Sequence, residues 1–229
     1  HGTVRVGPAT WAALTADRMG TLDEPTNESY GSDAVARIAP AGFFDGDPFT
    51  LGADIARLTH GHPEAAHASG AFALLIHHVV KGCTLEFAVR QTVYRLDDAR
   101  DRELAVQLCD AYLWGRRRPE ADDVANRYPT PQRAADALCL AVLSASSAID
   151  GRELIGKGWQ RADSSDEYTA RSRSARSMRG QLLAGITGSC ALSDTELGRQ
   201  LDRIVTRLAA DVEVEFRDDD AWWRDYPGW

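Results

Sequence analysis

Apolar residues recur along this chain at spacings of three and four from end to end, and alternating runs of the strand kind are almost absent. That one period confines the chain to packed helices, because an apolar stripe of this spacing is buried only by laying helices against one another. Helices are predicted over residues 8–17, 33–44 with an interruption at Pro40, 50–59, 63–80, 84–96, 102–114, 131–146, 152–159, 172–187 and 194–212. Two starts carry their own signal: Thr130-Pro131 puts a hydroxyl before an N-terminal proline, and Ser193-Asp-Thr-Glu196 reads as a capping box. Residues 20–30, 115–128 and 161–168, rich in charge and turn formers, read as loops. With 229 residues, 44% of them hydrophobic, a full core is affordable and one all-α domain over residues 1–229 is the economical arrangement. Its last segment, 213–229, holds Trp222, Trp223, Tyr226 and Trp229, and is expected to dock on the domain or on a partner chain.

The charge balance narrows the partners. A formal net charge of -8 argues against a broad basic surface for nucleic acid. The longest apolar run, residues 71–80, carries His77 and His78 and is too short to span a bilayer, and no signal peptide is visible, so neither nucleic acid nor membrane is an expected partner. Cys83, Cys109, Cys139 and Cys190 are widely spaced without a CxxC, as reduced packing residues of a cytoplasmic protein would be. The sequence opens at His1, as a processed chain or a piece of a longer one would.

Three segments carry candidate chemistry. In Asn27-Glu-Ser-Tyr-Gly-Ser-Asp33 a Ser-x-Gly turn feeds a helix and could offer backbone N–H groups to an anion; Ser32 or Asp33 acting as a helix cap is the plainer account. His60 and His62 lie in a corner between two helices, where an imidazole can point across a cleft. Together with His67 they invite a metal, but no cysteine or carboxylate stands at a metal-ligand spacing, and His67, His77 and His78 read as helix-face or packing residues. The third segment crowds Arg171, Arg173, Arg176 and Arg179 into the start of a helix bearing Gly180, Gly185 and Gly188, glycines that let neighbours come close. Each cation at a helix N-terminus costs about 0.3–1 kcal/mol, so the arginines call for a carboxylate of the same pocket, a ligand phosphate, or water. The Arg116-Arg-Arg118 run reads as a solvated loop.

Taken in order, these segments resemble the ADP-ribosylglycohydrolase family, an all-α family that removes ADP-ribose from arginine, serine or dinitrogen reductase and also includes the jellyfish J1 crystallins. Val6-Gly-Pro-Ala-Thr-Trp-Ala-Ala-Leu14 is similar to the family's Gly-x-Gly-Thr-x-x-Ala-Leu. Ser29-Tyr-Gly-Ser-Asp-Ala-Val-Ala-Arg-Ile-Ala-Pro40 resembles Ser-x-Gly-Asn-Gly-x-x-Met-Arg-x-x-Pro, and Thr59-His60 with Pro63 and Ala65 resembles the family's Thr-His corner. The family's Gly-Asp-x-Asp-Thr motif, running into a glycine-rich helix, aligns so that Gly180-Gln-Leu-Leu falls on the helix glycines. The resemblance implies a pocket for ADP-ribose or a related nucleotide, free or on an ADP-ribosylated protein. Ser29, Tyr30, Gly31 and Ser32 would meet its diphosphate or ribose, and His60 would lie against the ribose.

The departures are as informative. Active members are implied to hold two magnesium ions with a Thr-Asp-Asp motif and with both aspartates of the last motif. No Thr-Asp-Asp occurs here, and the ungapped register sets Arg171 and Arg173 on the two aspartates. Magnesium demands hard oxygen ligands, and a guanidinium has no acceptor atom to give it. No metal or cofactor is therefore expected, and Asp163, Asp166 and Glu167 read as an exposed acidic loop rather than displaced ligands. Asp33, standing on the second glycine of the family loop, is the suggested partner of Arg171 or Arg173. The reading is a family-like protein with a remodelled pocket, a pseudoenzyme for the dimagnesium reaction. One rival is a metal-independent glycosidase with Asp33 or an acid of the 163–167 loop as general base. The other is a scaffold whose tryptophan-rich tail is the contact surface.

Overall fold

The computed structural model describes residues 7–18, 20–129, 131–148, 168–169 and 172–187, all within a compact unit spanning His1–Gly188. The expected helices at 152–159 and 194–212, the acidic loop at 163–167, Arg171, Gly188, Cys190 and the aromatic tail lie outside the described residues. Regular structure among the described residues is helical, as the periodicity requires. It comprises α1 (Pro8–Leu14), α2 (Asp33–Ala36), a 3-10 turn (Ala39–Phe43), α3 (Pro48–Arg57), α4 (Pro63–Val80), α5 (Leu85–Asp98), α6 (Arg102–Gly115), α7 (Ala121–Arg127), α8 (Ala134–Ala148) and α9 (Arg173–Thr187).

Helix α4 is apolar on nearly every side, the pattern of a helix enclosed by others. It packs against α2, α3, α5, α8, α9 and the 3-10 turn. Phe72, Leu75 and Ile76 are buried at its centre, each contributing about 1.5–3 kcal/mol by leaving water. Its contact with α3 is backbone-close: a Cβ on Gly70 would lie 2.6 Å from the Phe49 carbonyl oxygen, so no larger residue fits unless the helices part. Helix α8 is the second enclosed rod, with Leu138, Leu140, Val142 and Leu143 buried, and it lies against α4, α6 and α9. Cys139 is buried within it, and Cys83, Cys109 and Cys139 are all free thiols.

Several boundaries differ from the periodic expectation, each for a physical reason. The stretch 33–44 splits into α2 and the 3-10 turn because Pro40 has no N–H for an α ladder. Helix α8 begins at Ala134 rather than at Pro131, because the backbone before it is used elsewhere: Gln132 O accepts from Ser32 N at 2.8 Å, and Arg133 bridges Gly31. Helix α7 falls inside the expected 115–128 loop. Its one buried side chain, Val124, gave the period too little to register, yet Asp122 and Asp123 suit the positive end of the helix and Arg127 the other.

Candidate functional site

The site is assembled where the loop before α2 runs beside the corner between α3 and α4. Asn27 fastens the two: its Nδ2 donates to Thr59 O at 3.0 Å and its carbonyl accepts from Gly61 N at 2.9 Å. On the other side the loop is clasped by the turn before α8, where Ala134 N donates to Tyr30 O at 2.9 Å. These contacts consume the backbone donors expected to be open for an anion. Gly31 N donates to Ser29 Oγ at 3.2 Å, Ser32 N to Gln132 O, and Ala34 N to Gly31 O. Ser32 stands at the N-cap of α2 but makes no capping bond; its hydroxyl donates to Ser174 Oγ at 3.0 Å and ties the loop to the first turn of α9. Asp33 is the first residue of the helix, not its cap.

Asp33 is the centre of the arrangement. Its Oδ1 lies 3.0 Å from His60 Nε2, and its Oδ2 accepts from the Thr10 hydroxyl at 2.8 Å. His60 is fully buried, whereas the Asp33 side chain keeps 31% of its surface. Burial pushes the Asp33 carboxyl up, but the hydrogen bonds from His60 and Thr10, and the charge His60 carries once protonated, outweigh it and hold the group at about 2. Space around the carboxylate is made by the residue before α1: a Cβ on Gly7 would stand 2.0 Å from Asp33 Oδ2.

Three further residues surround this pair; the sequence reading named Thr59 only as part of the Thr-His corner and gave no role to Thr10 or Arg37. Arg37, one turn beyond Asp33, donates through Nη1 to Thr10 Oγ1 at 3.0 Å and through Nη2 to Thr59 Oγ1. Thr59 Oγ1 is in turn 2.9 Å from His60 Nδ1. Burial draws the Arg37 guanidinium down while Asp33 pushes it up, and a group so far above neutrality stays charged. Thr10 and Arg37 lie on the motif positions quoted above, and the i, i+4 spacing of Asp33 and Arg37 was a signal that could have placed Arg37 near the carboxylate.

Of the expected ligand residues, Ser29, Tyr30, Gly31, Ser32, Asp33 and His60 come together. Tyr30 is half-exposed on the outer side, edge-on to His62 at 5.5 Å, with the Arg133 guanidinium 5.6 Å from its ring centre. Arg133 is paired with Glu64, and beyond it a cleft of about 290 Å³ is lined by His62, Glu64, Asp101, Gln107 and Asp136. Arg173 is exposed at the start of α9, beside the Ser174 that meets Ser32. The carboxylate oxygens offered to Arg171 or Arg173 are engaged by His60 and Thr10.

The histidines do not converge. His62 caps α4 by accepting from Glu64 N at 3.1 Å, and His67 pairs with Asp101 at 2.7 Å. Among the described residues no three His, Cys, Asp or Glu side chains are grouped to hold a metal ion. Arg173 offers no acceptor, and among the described residues Asp33 belongs to no group of carboxylates that could supply the hard oxygen ligands of two ions, so these residues do not fit a dimagnesium pair. What the geometry provides instead is an ionised, partly exposed carboxylate, held by a buried imidazole and the Thr10 hydroxyl, with the charged Arg37 guanidinium bound to that hydroxyl in turn.

The family model for ADP-ribosylglycohydrolase matches residues 1–162. That span takes in α1, the Asp33 loop and the His60 corner and ends before α9. No curated protein matches the chain. No described helix is long and apolar enough to cross a membrane.

Proposed function

The chain belongs to the ADP-ribosylglycohydrolase family, and we propose that it binds an ADP-ribose-type nucleotide in a remodelled pocket centred on Asp33 and His60, without dimagnesium-dependent hydrolysis. The observation that carries this reading is the 3.0 Å contact between Asp33 Oδ1 and His60 Nε2, made where the resemblance implies diphosphate or ribose at the loop and ribose at His60. An ionised carboxylate accepts hydrogen bonds from a ribose diol and repels a diphosphate. The ribose therefore faces Asp33, and the diphosphate turns toward the cationic start of α9, where Arg173 is exposed. A carboxyl held at about 2 is a weak proton acceptor at neutral pH. That favours a hydrogen-bonding and electrostatic role for Asp33 over the general base of a metal-independent glycosidase. The ligand is ADP-ribose itself or the same group carried on a protein.

Calorimetry with ADP-ribose, run with magnesium and again with EDTA, tests the reading. Equal binding heat in both, lost in the His60→Ala variant, is the expected result. Magnesium-dependent release of ADP-ribose from an ADP-ribosylated substrate would overturn it, and release that survives EDTA but not Asp33→Ala would return the glycosidase. A folded protein that gives no heat would be the scaffold.

A further inference from the structure

We infer that the buried His60 imidazole and the Thr10 hydroxyl form an oxyanion cradle that Asp33 fills as an internal anion, which makes Asp33 the residue that decides what a ligand presents there. Two donors converge on one carboxylate, His60 Nε2 on Oδ1 at 3.0 Å and the Thr10 hydroxyl on Oδ2 at 2.8 Å. The Thr10 proton is aimed by the group behind it. Arg37 Nη1 donates to Thr10 Oγ1 at 3.0 Å, and a guanidinium cannot accept, so the hydroxyl hydrogen is left for the carboxylate. The walls of the cradle are glycines from two separate segments. A Cβ on Gly7 would lie 2.0 Å from Oδ2, and one on Gly31 would lie 2.8 Å from Oδ1 and 3.4 Å from His60 Nε2. A methyl at either place intrudes where a carboxylate oxygen sits.

His60 is fully buried, and a buried N–H left unmatched is destabilising, so the cradle calls for an acceptor. Asp33 supplies it from its own backbone, and a tethered carboxylate holds the place against a dilute external anion. The outer side stays open, because 31% of the Asp33 side chain is exposed. An ionised carboxylate there only accepts hydrogen bonds. A ligand that meets it must present a hydroxyl or amino donor, whereas a ligand carboxylate or phosphate at the same point meets like charge. In the proposed pocket this selects a ribose hydroxyl over a phosphate. That consequence rests on the nucleotide reading; the cradle itself does not.

Truncating the plug should reverse the selectivity. Asp33→Ala removes the carboxylate and keeps the Cβ, so the gap has the size of formate. Asp33→Gly removes the Cβ as well, and its gap has the size of acetate. Thermal melts of both variants and of wild type, in formate, in acetate and in chloride at equal ionic strength, read the occupancy. Formate should raise the melting temperature of Asp33→Ala, and acetate that of Asp33→Gly. At a tenfold excess over the dissociation constant the folding equilibrium shifts about elevenfold, about 1.4 kcal/mol, which is about 3–6 °C for a chain of this size. Wild type should gain no more from either anion than from chloride. Adding His60→Gln or Thr10→Val to Asp33→Ala should remove the gain. A variant unfolded in plain buffer is read the same way, because an anion that binds only the native state draws folded protein back. Three results overturn the inference: neither variant gains beyond chloride, as with a cradle filled by water; the gain survives the loss of the donors; or wild type gains equally. A wild type that gives no ADP-ribose heat, with an Asp33→Ala variant that gains from formate, upholds the cradle and counts against the nucleotide pocket.

Discussion

His60 Nε2 meets Asp33 Oδ1 at 3.0 Å across 27 residues of sequence, joining the first turn of α2 to the corner that precedes α4. The contact is long-range and one partner is fully buried, so it depends on the core being in place. Helix α4 supplies that support: its packing against α2 and α3 holds both sides of the pair. The family resemblance implies a ribose contact at His60, so under the proposed function the packing of α4 bears on ligand binding.

Asp33→Asn should cost stability in a pH-dependent way. The folded carboxyl lies at about 2, below its ordinary 3.8, so its contribution is fully present above pH 3.8 and is lost as pH falls through about 2. The gap between the two values corresponds to on the order of 1–2 kcal/mol once partial exposure is allowed for. Thermal melts of wild type and variant should differ by that amount at pH 5 and converge below about pH 2. Asp47 and Asp101, whose carboxyls are also lowered, titrate in both proteins and cancel from the comparison.

Gly7→Ala should strike the same carboxylate from the other side. The backbone at Gly7, with φ -62° and ψ 150°, suits any residue, so the cost is one of space alone. The new methyl would stand 2.0 Å from Asp33 Oδ2 and 2.5 Å from Cγ, which forces the carboxylate away from Thr10 or His60. A loss of about 1–3 kcal/mol in denaturant unfolding is expected, the range for an overpacked site. The ADP-ribose heat should vanish with it. Wild-type heat in a folded Gly7→Ala protein would show that Asp33 can move without consequence.

Much of this was legible in the sequence, and the remainder was not for reasons that particular residues display. Helix α4 matches its expected bounds because proline, a capping His62 and an unbroken apolar run all agree. The start of α8 was misread because a valid proline signal at Pro131 was overridden by tertiary pairing with the Asp33 loop, which no local pattern reports. Asp33 and His60 could be named from motif and corner, but their mutual contact could not, since across 27 residues and two separate elements no local spacing reports which side chains face each other. Arg37, Thr10 and Thr59 acquire their roles only from the directions of their hydrogen bonds.

The glycines of α9 separate two expectations that the sequence merged. A Cβ on Gly185 would lie 2.7 Å from Val79 Cγ2, whereas one on Gly180 meets nothing within 4 Å. Gly180 is therefore not a close-packing glycine. Gly185→Ala should destabilise by about 1–3 kcal/mol through its clash with α4. Gly180→Ala should stabilise by about 0.5–1 kcal/mol, since alanine loses less backbone freedom inside a helix. Chemical denaturation of the two variants should move the midpoint in opposite directions.

Arg173→Ala discriminates between a solvated arginine and a phosphate contact. The residue is exposed, and both Asp33 oxygens are held by other groups, so its removal should leave the melting temperature unchanged within the scatter of surface substitutions, about 0.5 kcal/mol. Removing a cation from the first turn of α9 even relieves an unfavourable interaction with the helix dipole. If the diphosphate of ADP-ribose turns toward this helix, affinity should nevertheless fall by about tenfold or more, because a hydrogen bond to a charged group is worth about 1.5–3 kcal/mol. The salt dependence of binding should weaken in parallel, since one screened charge pair is lost. Affinity and salt slope both equal to wild type would assign Arg173 to solvent and leave the diphosphate to other residues.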